Sequence, residues 1–186
     1  MDNKTAFLAG ALLDAQATIR AIDVKVGALL VGLLAPFSSI GRICAHFEHL
    51  VSLNKPLGLV LLVVFFSAWI AALVALVRAV AAIDNPANHI TNHAQHKGAF
   101  YGGGLYKFGL LDTFLNRELI KASKDVASFE KDIPENKKDI EVELAFEQMK
   151  LIYIRDIKLH RLKSAINLSS IWFFVGILSY VTSKLI

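Results

Sequence analysis

Three stretches without charged side chains constrain the fold of this chain more than any other feature. One covers residues 56–77, a second covers 164–183, and a third, shorter one covers 26–41. A bilayer hydrocarbon core about 30 Å thick is crossed by roughly 20 helical residues, so the two longer stretches are long enough to span it. The shorter one is long enough only if its flanking basic side chains extend toward the headgroups. We therefore predict three transmembrane helices.

The order of apolar and charged stretches predicts an all-α membrane protein in three parts. Residues 1–83 hold an amphipathic N-terminal helix and the first two transmembrane helices, 84–163 form a helical cytoplasmic sensor segment, and 164–186 form the third transmembrane helix. No helix breaker follows Asp139, so the last helix is expected to run unbroken from the sensor segment into the third span.

The basic residues predict the orientation of these helices. Lys and Arg in short flanks concentrate on the cytoplasmic side of a membrane. Three basic residues precede the first span, whereas the loop between the first two spans holds only Arg42 and Lys55. We expect the N-terminus and residues 84–163 in the cytoplasm and the C-terminus outside. The net charge of +4 is modest and does not indicate a nucleic acid polymer as a partner.

Periodicity and breakers place the individual helices. Apolar residues at helical spacing predict a helix that leads directly into the first span, where Pro36 should kink it. Residues 41–53, which follow the first span, either extend this helix or lie in the outer membrane interface. The expected ranges of the other elements are 5–24 for the first helix, Pro56 to about Ile83 for the second span, and 108–130 for a helix in the sensor segment.

Three histidines are the only metal candidates. If the segment is helical, His89, His93 and His96 share one face, and imidazole is a common ligand of zinc, nickel and copper. No acidic residue or cysteine at close spacing completes a set, and Pro86 and Gly98 flank the segment. We therefore favour a polar surface near the membrane, and we predict no metal site and no cofactor.

A glycine-rich segment, AFYGGGLYKF at residues 99–108, is a candidate ligand loop. Backbone N–H groups in such a turn can hold an anion, and Tyr101 or Tyr106 can stack on a base. It is neither a Walker loop nor a dinucleotide-binding fingerprint. From these residues alone, a juxtamembrane hinge with aromatic side chains in the interface is favoured.

Basic residues recur at three-residue steps before the third span. Arg155, Lys158 and Arg161 can bind a nucleotide phosphate, or they can form a collar that is attracted to anionic lipid. Asp23 and Lys25 stand at the mouth of the first span, where an unpaired charge is costly. Asp23 can face Arg155 or Lys158, but we favour extension of both side chains into the interface.

No catalytic set is recognisable, so an enzyme is not expected. Ser38 and Ser39 lie in an apolar stretch without a base nearby. The glutamates within 130–147 are expected on a solvated helix face with Lys131, Lys137 and Lys138, not in a buried pair whose pKa values separate.

Three segments resemble one known family. Residues 21–36 read AIDVKVGALLVGLLAP, 99–119 read AFYGGGLYKFGLLDTFLNREL, and 144–178 read LAFEQMKLIYIRDIKLHRLKSAINLSSIWFFVGIL. The first resembles the D-x-K-[AV] entry to the first span of the Pycsar effector transmembrane family. The second lies where that family carries an aromatic–glycine motif, and the third is similar to its closing helix, which is rich in Lys and Arg and continues into the last span.

The resemblance implies an effector of bacterial antiphage defence. Such a protein senses cyclic CMP or cyclic UMP on its cytoplasmic part and impairs the inner membrane. We predict phosphate contacts by Arg155, Lys158 and Arg161 with support from Lys25, and base stacking by Tyr101 or Tyr106. A monomer of three helices cannot enclose a pore, so a homo-oligomer is expected. The alternative is a constitutive small membrane scaffold or accessory subunit that binds a protein partner or metal through residues 83–163.

Overall fold

The computed structural model describes the chain in four stretches, and 88% of the described residues are helical, with no strand among them. Three helical stretches are long and apolar enough to cross a bilayer, which confirms the all-α class and the expected number of such helices. The described stretches are 3–81, 85–92, 105–106 and 122–185.

The first apolar helix is interrupted where proline predicts a kink. Helix α1 covers Asn3–Leu34, a 3-10 turn covers Ala35–Ser39, and α2 covers Ile40–Leu53. Pro36 stands at the start of the 3-10 turn. Because proline has no N–H, it leaves a carbonyl of the preceding turn without a backbone donor. Residues 41–53 are helical and follow α1 after one tightened turn.

Helix α3 covers Lys55–Val80 and pairs closely with α2. Its N-cap is Asn54, whose Oδ1 accepts a hydrogen bond from the N–H of Leu57 at 3.2 Å. A Cβ atom on Gly58 would lie 2.7 Å from Cα of Val51, so only glycine permits this approach. The helix ends three residues before the expected end, because Ala81 has extended backbone with ψ 140°.

Residues 84–163 depart from the predicted helix 108–130. Helix α4 covers only Val126–Glu130, and residues 122–125 are not helical. Asp125 caps α4 by accepting from the N–H of Ser128 at 2.8 Å, which fixes the start of the helix there. Residues 108–121 of the prediction lie outside the described residues.

Helix α5 covers Lys137–Leu185 without interruption, as expected for a last helix that begins near Asp139. Asn136 caps it and accepts from the N–H of Asp139 at 2.9 Å. Its first part is polar and its last part is one of the three apolar stretches.

Residue contacts divide the chain into two compact units, Met1–Ala17 with Asp84–Ile154 and Thr18–Ile83 with Arg155–Ile186. In the first unit, Lys4 Nζ lies 2.7 Å from Glu141 Oε2. The buried apolar residues of this unit include Leu8, Leu12, Ala15, Ile90, Leu144, Phe146 and Leu151.

Aromatic rings pack together within the core of the second unit. The rings of Trp69 and Trp172 stack with centroids 6.0 Å apart, and Phe47, Phe65 and Phe66 pack around Trp69 or one another. Trp69 Nε1 also donates a hydrogen bond to the carbonyl of Leu33 at 2.8 Å. This bond supplies a donor at the interrupted turn between α1 and α2, which stabilises the kink.

Candidate functional site

Lys158 of α5 forms an ion pair with Asp23 of α1. Its Nζ lies 2.5 Å from Oδ1 of Asp23, and the lysine side chain is only 12% exposed. The favoured expectation, extension of Asp23 into the interface, gives way to the alternative of pairing with α5. A lysine this buried needs an anionic partner because desolvation penalises its charge.

Arg161, one turn further along α5, binds the end of α3. Its Nη1 donates to the main-chain carbonyl of Arg78, two residues before the last residue of α3. Carbonyls in the last helical turn lack backbone donors and attract cations. Together with the Asp23–Lys158 pair, this bond joins α1, α3 and α5, and we call Asp23, Lys158, Arg161 and the Arg78 carbonyl the three-helix polar cluster.

The remaining predicted phosphate contacts differ in their surroundings. Arg155 pairs with its sequence neighbour, with Nη2 at 2.9 Å from Oδ1 of Asp156. Lys25 is exposed, and it has no ion-pair partner among the residues that the structure describes. The three predicted arginine and lysine contacts of α5 are therefore all engaged with protein groups.

The predicted stacking residues are only partly covered by the structure. Tyr101 lies outside the described residues. Tyr106 is described, belongs to the first unit and is half exposed. Base stacking by either tyrosine stays a prediction.

The helical spacing assumed for the three histidines is not present between His89 and Asn92. His89 ends a short 3-10 helix, Pro86–His89, and the backbone is extended at Ile90 and left-handed at Asn92, with φ 62°. His93 and His96 themselves lie outside the described residues. Within the described stretches, no group of three His, Cys, Asp or Glu side chains could hold a metal ion.

One stacked pair of rings in the first unit was not predicted from the sequence. The imidazole of His89 lies flat on the ring of Tyr153, with centroids 4.4 Å apart and an interplanar angle of 16°. The pair fixes the short 3-10 helix against α5. Nothing in the spacing of the two residues signals it, because they are far apart in the chain.

Glu147 was expected on a solvated face, and that prediction is wrong. The side chain is only 1% exposed, and its Oε1 lies 2.5 Å from Nζ of Lys150. Lys150 also lies over the ring of Phe146, 4.8 Å from its centroid. A signal was present in the sequence: Leu144 and Leu151, three residues before and four after Glu147, mark the apolar face of this helix.

Burial raises the pKa of the Glu147 carboxyl above its ordinary value of 4.5, and Lys150 opposes this effect while the charge of Glu143 adds to it. Glu147 is thus a buried acid whose proton affinity is set by the packing of the first unit. A group of this kind couples the stability of its surroundings to pH.

A groove of about 570 Å³ runs between α1 and the apolar part of α5. Small side chains line part of it, and Nε1 of Trp172 is buried with no acceptor among the described residues. The small lining residues are Ala28, Gly32, Ser169 and Ser170.

No protein-family model matches the chain, and the comparisons with curated proteins and with solved structures also give no match. No relative thus assigns a role to the three-helix polar cluster or to Glu147.

Proposed function

We propose that this protein is an antiphage-defence effector of the bacterial inner membrane that senses cyclic CMP or cyclic UMP on its cytoplasmic part. Three helices span the membrane, with the N-terminus and residues 84–163 in the cytoplasm. Binding of the nucleotide permeabilises or depolarises the membrane, and the active species is a homo-oligomer. The protein is not an enzyme in this account, and it needs no cofactor.

The three-helix polar cluster is the observation that carries the proposal. Two cationic side chains of α5 hold α1 through a carboxylate and α3 through a carbonyl. A phosphate is a stronger acceptor for Arg161 than a neutral carbonyl, and it can replace Asp23 as the anion next to Lys158. A nucleotide phosphate can therefore loosen both connections at once.

The energetics require two arrangements of the helices with different affinities for the ligand. In the closed arrangement, Asp23 occupies Lys158 and competes with the nucleotide. In the open arrangement, Lys158 and Arg161 are free to bind the phosphate, with support from Arg155 and Lys25. The ligand shifts the population only by the ratio of its two affinities. Tyr101 and Tyr106 are the proposed stacking partners of the base.

The groove between α1 and α5 supports assembly of several copies. The N–H of Trp172 needs an acceptor, and a lipid acyl chain offers none. A helix of a second copy can supply a carbonyl or hydroxyl oxygen, and the small residues of the groove allow its backbone to approach. Assembly is needed because three helices alone enclose no pore.

Calorimetric titration of the purified full-length protein with cyclic CMP and cyclic UMP tests the proposal. Lys158→Gln should weaken binding by about tenfold, as loss of a charge-assisted hydrogen bond implies. Asp23→Asn should strengthen binding, because it removes the competing anion. Lys163→Gln, an exposed lysine on the same helix, is the matched control and should bind as the wild type does. The absence of binding of either nucleotide to the wild type would remove the pyrimidine ligand from the account.

One observation favours the alternative of a constitutive scaffold or accessory subunit. Arg155, Lys158 and Arg161 all contact protein groups, which is also what a purely structural collar would do. The scaffold would bind a protein partner or metal through residues 83–163. It predicts that neither cyclic nucleotide binds and that the Asp23→Asn and Lys158→Gln substitutions affect stability alone.

A further inference from the structure

A second, smaller cavity lies at the other end of the apolar helices from the polar cluster. It has a volume of about 250 Å³ and lies within the second unit. Residues of α2, α3 and α5 line it: Arg42, Ile43, His46, Phe47, Phe65, Gly176, Ser179 and Tyr180.

His46, one of the lining residues, carries an unsatisfied polar atom. Its Nε2 is buried, and no hydrogen-bond partner for it exists within the described part of the chain. Buried polar atoms in folded proteins are nearly always paired, so an unpaired one requires an explanation. The ring itself is held edge-on against Phe47, with centroids 5.5 Å apart.

Arg42 brings a permanent positive charge to the same cavity. It lies one helical turn before His46 on α2, and no described residue forms an ion pair with it. No acidic side chain lines the cavity. A site with a guanidinium and an imidazole but no carboxylate attracts an anion and repels a metal cation.

The position of the cavity along α5 suggests where this anion comes from. Ser179 lies eighteen residues after Arg161, which is about 27 Å along a helix. A hydrocarbon core is about 30 Å thick, so if Arg161 marks the cytoplasmic boundary, the cavity lies near the outer boundary. This step rests on the membrane-spanning arrangement of the proposed function. Ionisable groups at such depths face a cavity or a partner and mark functional sites.

The lining also distinguishes between kinds of anion. Arginine matches the oxygens of a phosphate with two parallel N–H donors, and the phenol of Tyr180 can add a third donor. Ser179 donates its own hydroxyl to the carbonyl of Gly176 at 2.8 Å, so it shapes the wall and does not bind the anion as a donor. The apolar floor of Ile43, Phe47 and Phe65 suits the hydrocarbon part of a lipid.

We propose that Arg42 and His46 form a binding site for a phosphate group, supplied by the headgroup of an anionic phospholipid in the outer leaflet. Arg42 binds two phosphate oxygens, and Nε2 of His46 donates its N–H to one of them. The bound lipid would hold α2 against α3 and α5 in the resting protein.

The test is the thermal unfolding midpoint of the full-length protein in a nonionic detergent, titrated with three probes and no cyclic nucleotide. The probes are short-chain phosphatidylglycerol, diacylglycerol with the same chains, and inorganic phosphate. Phosphatidylglycerol should raise the midpoint in a saturable way, and diacylglycerol should not. If inorganic phosphate does the same at similar concentration, the site stands and its natural ligand is free phosphate.

Three variants identify the residues responsible. Arg42→Gln should weaken the apparent affinity for phosphatidylglycerol by about tenfold or more. His46→Phe keeps the aromatic contact with Phe47 and removes the unpaired nitrogen, so it should raise the lipid-free midpoint and reduce the lipid response. Lys55→Gln removes one positive charge at the start of α3, away from the cavity, and should respond as the wild type does.

The proposal is overturned if the wild type does not respond, if diacylglycerol acts as phosphatidylglycerol does, or if both Arg42→Gln and His46→Phe keep the full response. A variant that fails to fold is recognised by its lipid-free midpoint, and His46→Phe then decides alone. The measurement involves neither nucleotide binding nor leakage. The lipid site can therefore be refuted while the proposed function stands, and the proposed function can be refuted while the lipid site stands.

Discussion

Nζ of Lys158 lies 2.5 Å from Oδ1 of Asp23, although the two residues are 135 positions apart in the chain. The pair connects the first apolar helix to the last one, and Arg161 connects the same helix to the end of α3. If the three apolar helices span a membrane, these charged groups lie near its boundary, where an unpaired charge would destabilise the fold. In the proposed function, a nucleotide phosphate replaces the same contacts that hold the three helices together.

Breaking the Asp23–Lys158 pair should destabilise the protein. Asp23→Asn leaves a lysine that is 12% exposed without its anion, and we expect a loss of about 1 kcal/mol in the free energy of unfolding, because Asp23 is itself partly exposed. Asp14→Asn removes an exposed carboxylate on the same helix and is the control. Chemical unfolding in detergent gives both values, and equal losses would mean that the pair contributes no specific stability.

The hydrogen bond from Trp69 to the kinked turn should be measurable. Trp69→Phe removes a buried hydrogen bond to the Leu33 carbonyl and should cost about 1–3 kcal/mol, because the buried carbonyl loses this donor. Trp172→Phe, measured in detergent on the monomer, is the matched control, since within one copy no described residue accepts from its Nε1. Trp69→Phe should lower the free energy of unfolding more than Trp172→Phe does. A larger loss for Trp172→Phe would refute the role assigned to Trp69.

The close approach of α2 and α3 predicts opposite signs for two glycine substitutions. Gly58→Ala places a Cβ 2.7 Å from the backbone of Val51 and should cost about 1–3 kcal/mol. Gly10→Ala meets nothing within 4 Å in the middle of α1 and should add up to about 1 kcal/mol through helix propensity. Thermal unfolding of the two variants measures the difference, and a stable Gly58→Ala protein would contradict the packing of this hairpin.

The buried carboxyl of Glu147 predicts a pH dependence. Its folded pKa lies above 4.5, so the native state binds more protons than the unfolded state in the window above pH 4.5. This contribution to stability is therefore complete below pH 4.5 and is lost as the pH rises through the folded pKa. Glu147→Gln should remove the decline, whereas Glu135→Gln, an exposed carboxylate, should keep it.

Unfolding midpoints measured between pH 4 and pH 8 give the slopes for the three proteins. The wild type and Glu135→Gln should share the decline with rising pH, and Glu147→Gln should show a flatter profile. Parallel profiles for all three would mean that the burial of Glu147 does not set its proton affinity.

The helical architecture could be predicted from the sequence because charge-free stretches, Pro36 and the absence of a helix breaker after Asp139 are local signals. It also offered Lys158 as a partner of Asp23 without favouring it, because pairing across a distance depends on the packing of helices. The predicted exposure of Glu147 was wrong because it was based on the charge of the side chain and not on the apolar residues at helical spacing around it. The His89–Tyr153 stack and the Trp69 bond to Leu33 could not be predicted, since each joins residues whose positions carry no pattern.

Dye leakage from liposomes that contain the full-length protein shows whether a cyclic pyrimidine nucleotide makes the membrane permeable. For the wild type, leakage should be low alone and should rise with cyclic CMP or cyclic UMP, because the phosphate displaces Asp23 from Lys158. For Asp23→Asn, leakage should be raised already without nucleotide, and Asp14→Asn should behave as the wild type does. If liposomes shown to contain the wild-type protein leak with neither nucleotide, the proposed function is contradicted.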